Sequence, residues 1–302
     1  MPMLLKCSFA LKALIQLGSP RTNSLLVMRA GELVHEFYRK GYNKHRPDDI
    51  HSITKSVTSA LVGIAIAEGH IGGVEDKAVQ YFPEAPEQPG WQESKADITI
   101  EHLLTMRSGI RYGGRENWDA FENSEDSALM ALLLPQAHVP GEKFAYEDPP
   151  ISILAGIIER TTGQKLLDYA NEKLFAPLGI ANPHWVTAAD GLPYGGFGLH
   201  LSPGDLLRFG QLYLQEGSYD GRQVVPAEWI RRSRPQGKKI LSYGYLFWND
   251  YFRPRRSYYS ANGVYGQFVA IRPGCKTVIV RTGSPGKVGP FILKKCVDYG
   301  IM

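Results

Sequence analysis

Ser52 and Lys55 are the residues whose types and spacing point first to chemistry in this 302-residue chain. They open the stretch His51 to Gly69, HSITKSVTSALVGIAIAEG. Three helical steps leave two side chains about 60° apart around the axis and one turn apart along it. A hydroxyl and an ammonium at that spacing can meet. The free N–H groups and positive dipole end of a first turn would lie beside the hydroxyl. A serine so placed can be made nucleophilic. A helix must supply the geometry, and the stretch reads as one. Ile53, Val57, Ala60, Leu61, Ile64 and Ala65 recur at three and four, the period of a helix with one buried face. Ser52 stands where an N-cap or first-turn serine belongs, and Gly69 where a C-cap glycine belongs. The structural reading competes. S-x-x-K turns up by chance roughly once in a chain this long, and taken alone the pair reads better as a capping serine and a solvated lysine. A second copy, Ser284-Pro285-Gly286-Lys287, reads as a turn, because Pro-Gly cannot hold a helical turn.

The totals bound the class. Hydrophobic residues make up 43% and charged residues 21%, an ordinary globular composition. The length allows one large domain or two intimate ones. Net charge is +4 with both signs interspersed. No Lys/Arg block stands out beyond Arg253-Pro254-Arg255-Arg256 and Arg231-Arg232, so nucleic acid is not implied. Cys7, Cys275 and Cys296 give no disulfide framework and fit a reducing compartment. The eight histidines are scattered, with no metal-ligand spacing. In MPMLLKCSFALKALIQLG, Lys12 interrupts the apolar run, so an amphipathic packing helix is expected rather than a signal peptide. No run approaches the ~18 apolar residues of a membrane span. A cytoplasmic protein without a membrane partner is the expectation.

Around the opening helix, residues 24–29 and 32–38 read as a hairpin turning at Ala30-Gly31. Residues 70–100 are loop-rich, and a helix resumes near Ile98 to Met106 with Thr99 as its cap. Arg111 to Asn123 reads as irregular. Its Tyr112, Trp118 and Phe121 suggest either a pocket wall or a satellite core. Helices follow at 127–134, 151–161, 166–174, after Pro203, and at 226–233. Pro193 to Leu199 is glycine-rich but lacks the lysine and preceding strand of a phosphate cradle. The end is strand-rich, at 242–248, 264–272 and 276–282, with a closing helix over 291–297. Strands thus sit at both ends and helices between them. This order predicts an α+β fold, with one antiparallel sheet from both termini flanked by helices and a mainly helical lobe inserted. The expected division is 1–69 and 236–302 for the sheet domain, with the nucleophile helix at its edge, and 70–235 for the lobe.

Six strings, in order, then carry a family resemblance: HSITKSVTSALVGIAIAEG, ITIEHLLTMRSGI, PGEKFAYEDPP followed by AGIIERTTG, GFGLHLSPGDLLRFGQLYL, YGYLFW and ANGVYGQFVAIRP. The chain resembles the serine β-lactamase and penicillin-binding-protein superfamily. The match is nearest its class C-like branch, with the family VIII carboxylesterases and aminohexanoate-oligomer hydrolases. It covers about residues 24 to 295.

The resemblance implies a β-lactamase/DD-peptidase-like fold and a set of roles. Ser52 would be the acyl-accepting nucleophile, and Lys55 would hold its hydroxyl. Tyr146, in Tyr146-Glu147-Asp148, would pass the proton to the leaving group and later activate water. A phenol beside an ammonium has a lowered pKa, because the positive charge favours the phenolate. Asp148 departs from the family, which often has a neutral amide there. The third motif has two candidates. Arg281-Thr282-Gly283 matches in letters, but Ala261-Asn262-Gly263 fits better in order, because the motif precedes the two closing strands. With the latter, the family's cation is absent, and a substrate carboxylate would be held less well. The oxyanion hole would be the backbone N–H of Ser52 and of Val264, with Gly263, Asn262 and Asp148 lining the substrate.

The resulting expectation is a serine hydrolase for an ester or small amide, needing neither cofactor nor metal. A β-lactamase or DD-peptidase is the same chemistry on another substrate. A non-catalytic binding or sensor domain on the same fold is the third reading.

Overall fold

The computed structural model describes residues 21–235, 243–249 and 258–284. The expected N-terminal and closing helices, Cys7, Cys296 and Lys287 lie outside the described residues.

Both ends of the chain build one antiparallel sheet of order β2-β1-β11-β10-β9-β8. β1 (Thr22–Arg29) and β2 (Glu32–Tyr38) form the anticipated hairpin. Its corner, Ala30-Gly31, has both φ angles positive, as a tight two-residue hairpin turn requires. β1 also pairs with β11 (Thr277–Gly283), which is buried along its whole length. β11 pairs with β10 (Gln267–Arg272), β10 with β9 (Tyr259–Gly263), and β9 with β8 (Trp248–Asn249). Short β3 (Asp48–Asp49), β4 (His184–Trp185) and β5 (Leu199–Leu201) make a second sheet of order β3-β5-β4 that the sequence did not announce. β6 (Ser218–Tyr219) and β7 (Arg222–Gln223) form a small hairpin.

The helices in chain order are α1 (Thr54–Ala67), α2 (Ile100–Leu104), α3 (Arg115–Glu122), α4 (Ser127–Leu133), α5 (Pro149–Thr162), α6 (Leu166–Ala170), α7 (Pro203–Leu214) and α8 (Ala227–Ser233). Their ends follow local chemistry. Thr99 and His102 form a capping box at α2, as do Ser202 and Asp205 at α7. Asp126 accepts from Leu129 N–H at the start of α4. Pro149-Pro150 opens α5, and left-handed Gly163 closes it.

Three expectations need correction. Residues 111–123 are not irregular throughout, because α3 occupies most of them. Its Trp118 and Phe121, three apart, share one face, a signal hidden behind Gly113-Gly114. The run 242–248 is not one strand. Tyr243 bridges to Trp248 across a turn, and only Trp248–Asn249 pairs as a strand with β9. The strand expected from Val264 begins at Gln267, after a 3-10 turn over Val264–Gly266.

α1 is buried along its whole length to Ala65, not along one stripe. Two of its buried hydroxyls find carbonyl partners far along the chain. Ser56 Oγ donates to Leu246 O at 2.7 Å, and Thr58 Oγ1 donates to Gly195 O at 2.7 Å. One hydrophobic cluster joins it to the sheet and the helices, including Leu26, Val57, Ile157, Leu206 and Val278. α7 covers the sheet so closely that a Cβ on Gly210 would stand 2.4 Å from Val278 Cγ1. On its other side α1 meets α8, where a Cβ on Gly63 would stand 2.4 Å from Trp229 Cγ.

That contact sets a test. Alanine raises helix propensity by up to about 1 kcal/mol over glycine. Forcing a methyl into a filled core costs about 1–3 kcal/mol, and three indole atoms lie within 2.6 Å of it. Gly63→Ala is therefore expected to lower the urea midpoint of unfolding. An unchanged or higher midpoint would refute the packing argument.

Candidate active site

Ser52 does not cap α1. It sits in a 3-10 turn, His51–Ile53, that runs straight into the helix, and neither that turn nor α1 has a side-chain cap. Thr54 Oγ1 instead donates to His51 O at 2.6 Å. His51 has φ +49°, an uncommon angle for a non-glycine residue. Asp49 holds it there: Oδ1 accepts from His51 N–H at 2.7 Å, and Oδ2 lies 3.1 Å from the ring Nδ1. Burial, opposed by Asp49 and assisted by His200, lowers the His51 pKa. The imidazole is neutral at pH 7.

Lys55 is the centre of the arrangement. Its side chain is 1% exposed. Its Nζ donates to Ser52 Oγ at 3.1 Å, to Gly196 O at 2.7 Å, and to the Asp148 carboxylate. An ammonium has three donors, and all three are used. Tyr146 lies over the same nitrogen, with its ring centroid 4.9 Å away. Burial alone would favour the neutral amine. Tyr146 and Asp148 outweigh it through charge and hydrogen bonding, so the Lys55 pKa is raised. Lys55 is an ammonium at neutral pH.

Tyr146 precedes α5 and is half-exposed. Its ring stacks on Trp248 at 5.4 Å and meets the edge of Tyr243 at 6.1 Å. Tyr243 meets Trp248 at 4.7 Å, and Phe144 meets Tyr243 at 5.5 Å. Burial, then Tyr146 and Asp148, push the Tyr243 phenol well up. This aromatic support was not assigned from the sequence, although it lies within the string YGYLFW.

The glycine-rich loop was also passed over. It approaches so closely that a Cβ on Gly195 would lie 2.5 Å from Ile151 O, and one on Gly196 would lie 3.4 Å from Lys55 Nζ. Its function here is a backbone carbonyl, which no side-chain pattern advertises. Asp148 also lines a cavity of about 470 Å³ with Tyr112, Arg115, Trp118, Asp119 and Glu122. Trp118 packs on Phe121 at 5.5 Å and on Phe197 at 5.7 Å, and Phe121 belongs to the main core, so the stretch is pocket wall and part of that core rather than a satellite.

The two candidates for the third motif separate clearly. A Cβ on Gly263 would meet Ile50 O at 2.5 Å and His51 Cβ at 3.1 Å, so β9 runs against the turn that carries Ser52. Val264 follows, 56% exposed, at the start of its own turn. Asn262 pairs with Phe268 on β10, and its Oδ1 has no partner among the described residues. Arg281-Thr282-Gly283 lies on β11, two strands further into the sheet. The structure therefore brings Ser52, Lys55, Tyr146, Asp148 and Gly263 together and leaves Arg281 behind them. Among the described residues, no group of three or more His, Cys, Asp or Glu side chains could hold a metal ion.

The beta-lactamase family model matches residues 21–283. The chain belongs to the beta-lactamase family. It is 25% identical to the 6-aminohexanoate-dimer hydrolase of Paenarthrobacter ureafaciens over 290 residues, 87% of this chain and 72% of that protein. A family VIII carboxylesterase superposes with a TM-score of 0.80 at 15% identity, covering 99% of this chain and 97% of that one. A D-alanine carboxypeptidase from Burkholderia cenocepacia gives a TM-score of 0.74 at 17% identity, covering 99% and 98%. At those identities the two superpositions bear on the fold, which is the β-lactamase/DD-peptidase-like α+β fold. No helix among the described residues is long and apolar enough to cross a membrane.

The Lys55 contacts fix two signs. Removing the negative charge beside it removes one influence that raises its pKa, so Asp148→Asn should lower that pKa. NMR titration of the lysine Cε resonances reads this directly, and a Lys55 signal titrating at or above the wild-type value would refute the coupling. A raised folded pKa stabilises the fold fully below the ordinary lysine value of 10.5 and loses that contribution as pH climbs through the folded value. Alkaline unfolding should accordingly come earlier in the variant.

Proposed function

We propose that this beta-lactamase-family hydrolase cleaves an ester or small amide through an acyl-enzyme on Ser52. The observation that carries the reading is Lys55, a fully bonded buried ammonium 3.1 Å from Ser52 Oγ and beneath the Tyr146 ring. A charged Lys55 has no lone pair with which to take the serine proton. Its part is to orient the hydroxyl beside the Tyr146 ring, whose centroid lies 4.9 Å from its nitrogen. Tyr146 is then the base. Ser52 Oγ attacks the carbonyl carbon as its proton passes to the Tyr146 oxygen. The negative charge that develops on the carbonyl oxygen is met by the N–H groups of Ser52 and Val264. The tetrahedral adduct collapses, and the alcohol or amine leaves with the proton from Tyr146. Water then attacks the acyl carbonyl as Tyr146 takes its proton, the second adduct collapses, Tyr146 returns the proton to Ser52 Oγ, and the acid departs.

Substrate class follows from charge. Asp148 places a carboxylate where an amide would bind an acyl-side amide carbonyl. Ala261 occupies the position of the cation that would hold a substrate carboxylate. Both features favour an uncharged ester or small amide over a β-lactam or a D-Ala-D-Ala peptide, each of which carries that carboxylate. The names of the aminohexanoate-dimer hydrolase and the carboxylesterase, proteins to which this chain is similar, lean the same way.

The test is a panel of p-nitrophenyl butyrate, nitrocefin and a fluorophosphonate probe on three proteins. Wild type should hydrolyse the butyrate faster than nitrocefin and should be labelled by the probe. Ser52→Ala should lose both activities. Tyr146→Phe should lose about 10²–10⁴-fold in kcat, with a much smaller change in KM, as expected for a proton-transfer group. Labelling of Ser52→Ala at the wild-type rate would overturn the assignment. Preferred turnover of nitrocefin would instead make the protein a β-lactamase, and stoichiometric acylation without turnover a binding domain.

A further inference from the structure

The string Arg281-Thr282-Gly283 lies outside the candidate active site, yet its burial demands an account. Arg281 is fully buried on a central strand. A guanidinium in that position is costly unless its donors are bonded. Its Nε and Nη2 both donate to Thr22 Oγ1 on β1, at 3.2 and 3.0 Å. Its Nη1 crosses behind β10 to the turn Val264–Gly266, donating to Gly266 O at 2.6 Å and to Tyr265 O at 3.3 Å. Gly283 leaves room for this, since a Cβ there would stand 2.4 Å from Tyr265 O. The buried Gln267 amide closes the same corner. It donates to Gly283 O at 2.8 Å and accepts from Gly283 N–H at 3.1 Å.

The turn so held is a strained one. Tyr265 has φ +61°, which a bulky residue rarely adopts without outside support. Its ring meets the edge of His51 at 5.2 Å, one residue before Ser52. Val264, at the head of the same turn, is the proposed second oxyanion donor.

We infer that Arg281 is a positioning residue. It fixes the Val264–Gly266 turn from behind the sheet, so that the Val264 N–H stands ready where charge develops on the substrate. This rests on the acyl-enzyme reading above. The guanidinium touches no substrate. Its two carbonyl contacts hold the Tyr265–Gly266 and Gly266–Gln267 peptides, which anchor the C-terminal side of the turn that Val264 opens, and a donor misplaced by a fraction of an ångström loses much of its value.

The test compares Arg281→Lys, Thr22→Val and, as a control, Ser24→Ala. Ser24 and Thr282 share a hydroxyl hydrogen bond of 2.7 Å on the same pair of strands. Each protein is assayed with p-nitrophenyl butyrate, for affinity to phenylboronic acid, and for thermal midpoint. The boronate forms a tetrahedral adduct on the serine and so reports on the oxyanion site. Arg281→Lys is expected to lose about tenfold in kcat and in boronate affinity, with KM within about twofold. Thr22→Val, which removes the acceptor of the Nε and Nη2 hydrogen bonds, should lose about threefold in both. Ser24→Ala should lose thermal stability alone. If Arg281→Lys does not fold, Thr22→Val decides. Unchanged kcat and boronate affinity in the folded variants would overturn the inference, as would an equal loss in Ser24→Ala. A wild type that turns over no acyl substrate would overturn the hydrolase reading, and this inference with it.

Discussion

A buried ammonium tolerates few surroundings. Lys55 has lost its water, so each of its three donors needs an acceptor from the protein. One is local and two come from far along the chain: Ser52 on the adjoining turn, Asp148 at the head of α5, and the Gly196 carbonyl. Each acceptor constrains its own element. α5 must begin beside α1, and the glycine-rich loop must pass without side chains between them. Thr58 ties the same loop to α1 one turn further along through Gly195 O. The meeting of helices and loop is thus organised around one nitrogen. The geometry that satisfies this nitrogen is the one that brings Tyr146 over it.

Some of this was legible in the sequence and some was not, for identifiable reasons. Ser52 and Lys55 were legible because side chains three residues apart meet in any helical turn. The hairpin at Ala30-Gly31, the cap at Thr99 and the helix opening at Pro203 were legible because each is written in local chemistry. Gly196 was hidden because its contribution is a carbonyl, which every residue has. Ser52 was misread as a cap because a 3-10 turn and the first turn of an α-helix share the same apolar spacing. The one-face reading of α1 failed at Ser56 and Thr58. A hydroxyl that finds a carbonyl is as much at home in a core as a methyl group, and their partners Leu246 and Gly195 lie far along the chain. The choice between Ala261-Asn262-Gly263 and Arg281-Thr282-Gly283 rested on order, and order placed the former nearer the serine. The second string resembled a motif because a buried arginine next to a strand-end glycine also serves a tight corner.

The carboxylate of Asp148 changes the electrical character of the centre. A neutral amide there would leave Lys55 with a hydrogen bond but without a counter-charge, and burial would weigh more heavily in favour of the free amine. With the carboxylate, the balance tips toward the ammonium. The same charge stands at the wall of the cavity formed with Trp118, Tyr112 and Glu122. Glu122 there is held by the neutral donors Trp118 Nε1 and Tyr194 OH. One substitution thus acts in two directions. It joins Tyr146 in raising the lysine pKa and adds negative charge to the wall of the neighbouring hollow.

Two strained residues face each other across the opening of this centre. His51 and Tyr265 both have φ near the left-handed region, and their rings meet edge to face at 5.2 Å. Each strained backbone is held by polar partners rather than by its own preference: His51 by the Asp49 carboxylate, Tyr265 by the Arg281 guanidinium and the Gly283 corner. Strain of this kind persists only where surrounding contacts over-determine it. Here the contacts reach from the edge of the small sheet and from the middle of the large one. The turn carrying Ser52 and the turn carrying Val264 are therefore braced separately, and they meet at the His51–Tyr265 rings and where Gly263 packs against Ile50 and His51. A hydroxyl and an amide that must act on the same carbonyl group gain from such bracing. Their relative position is set during folding and need not be set again when substrate arrives.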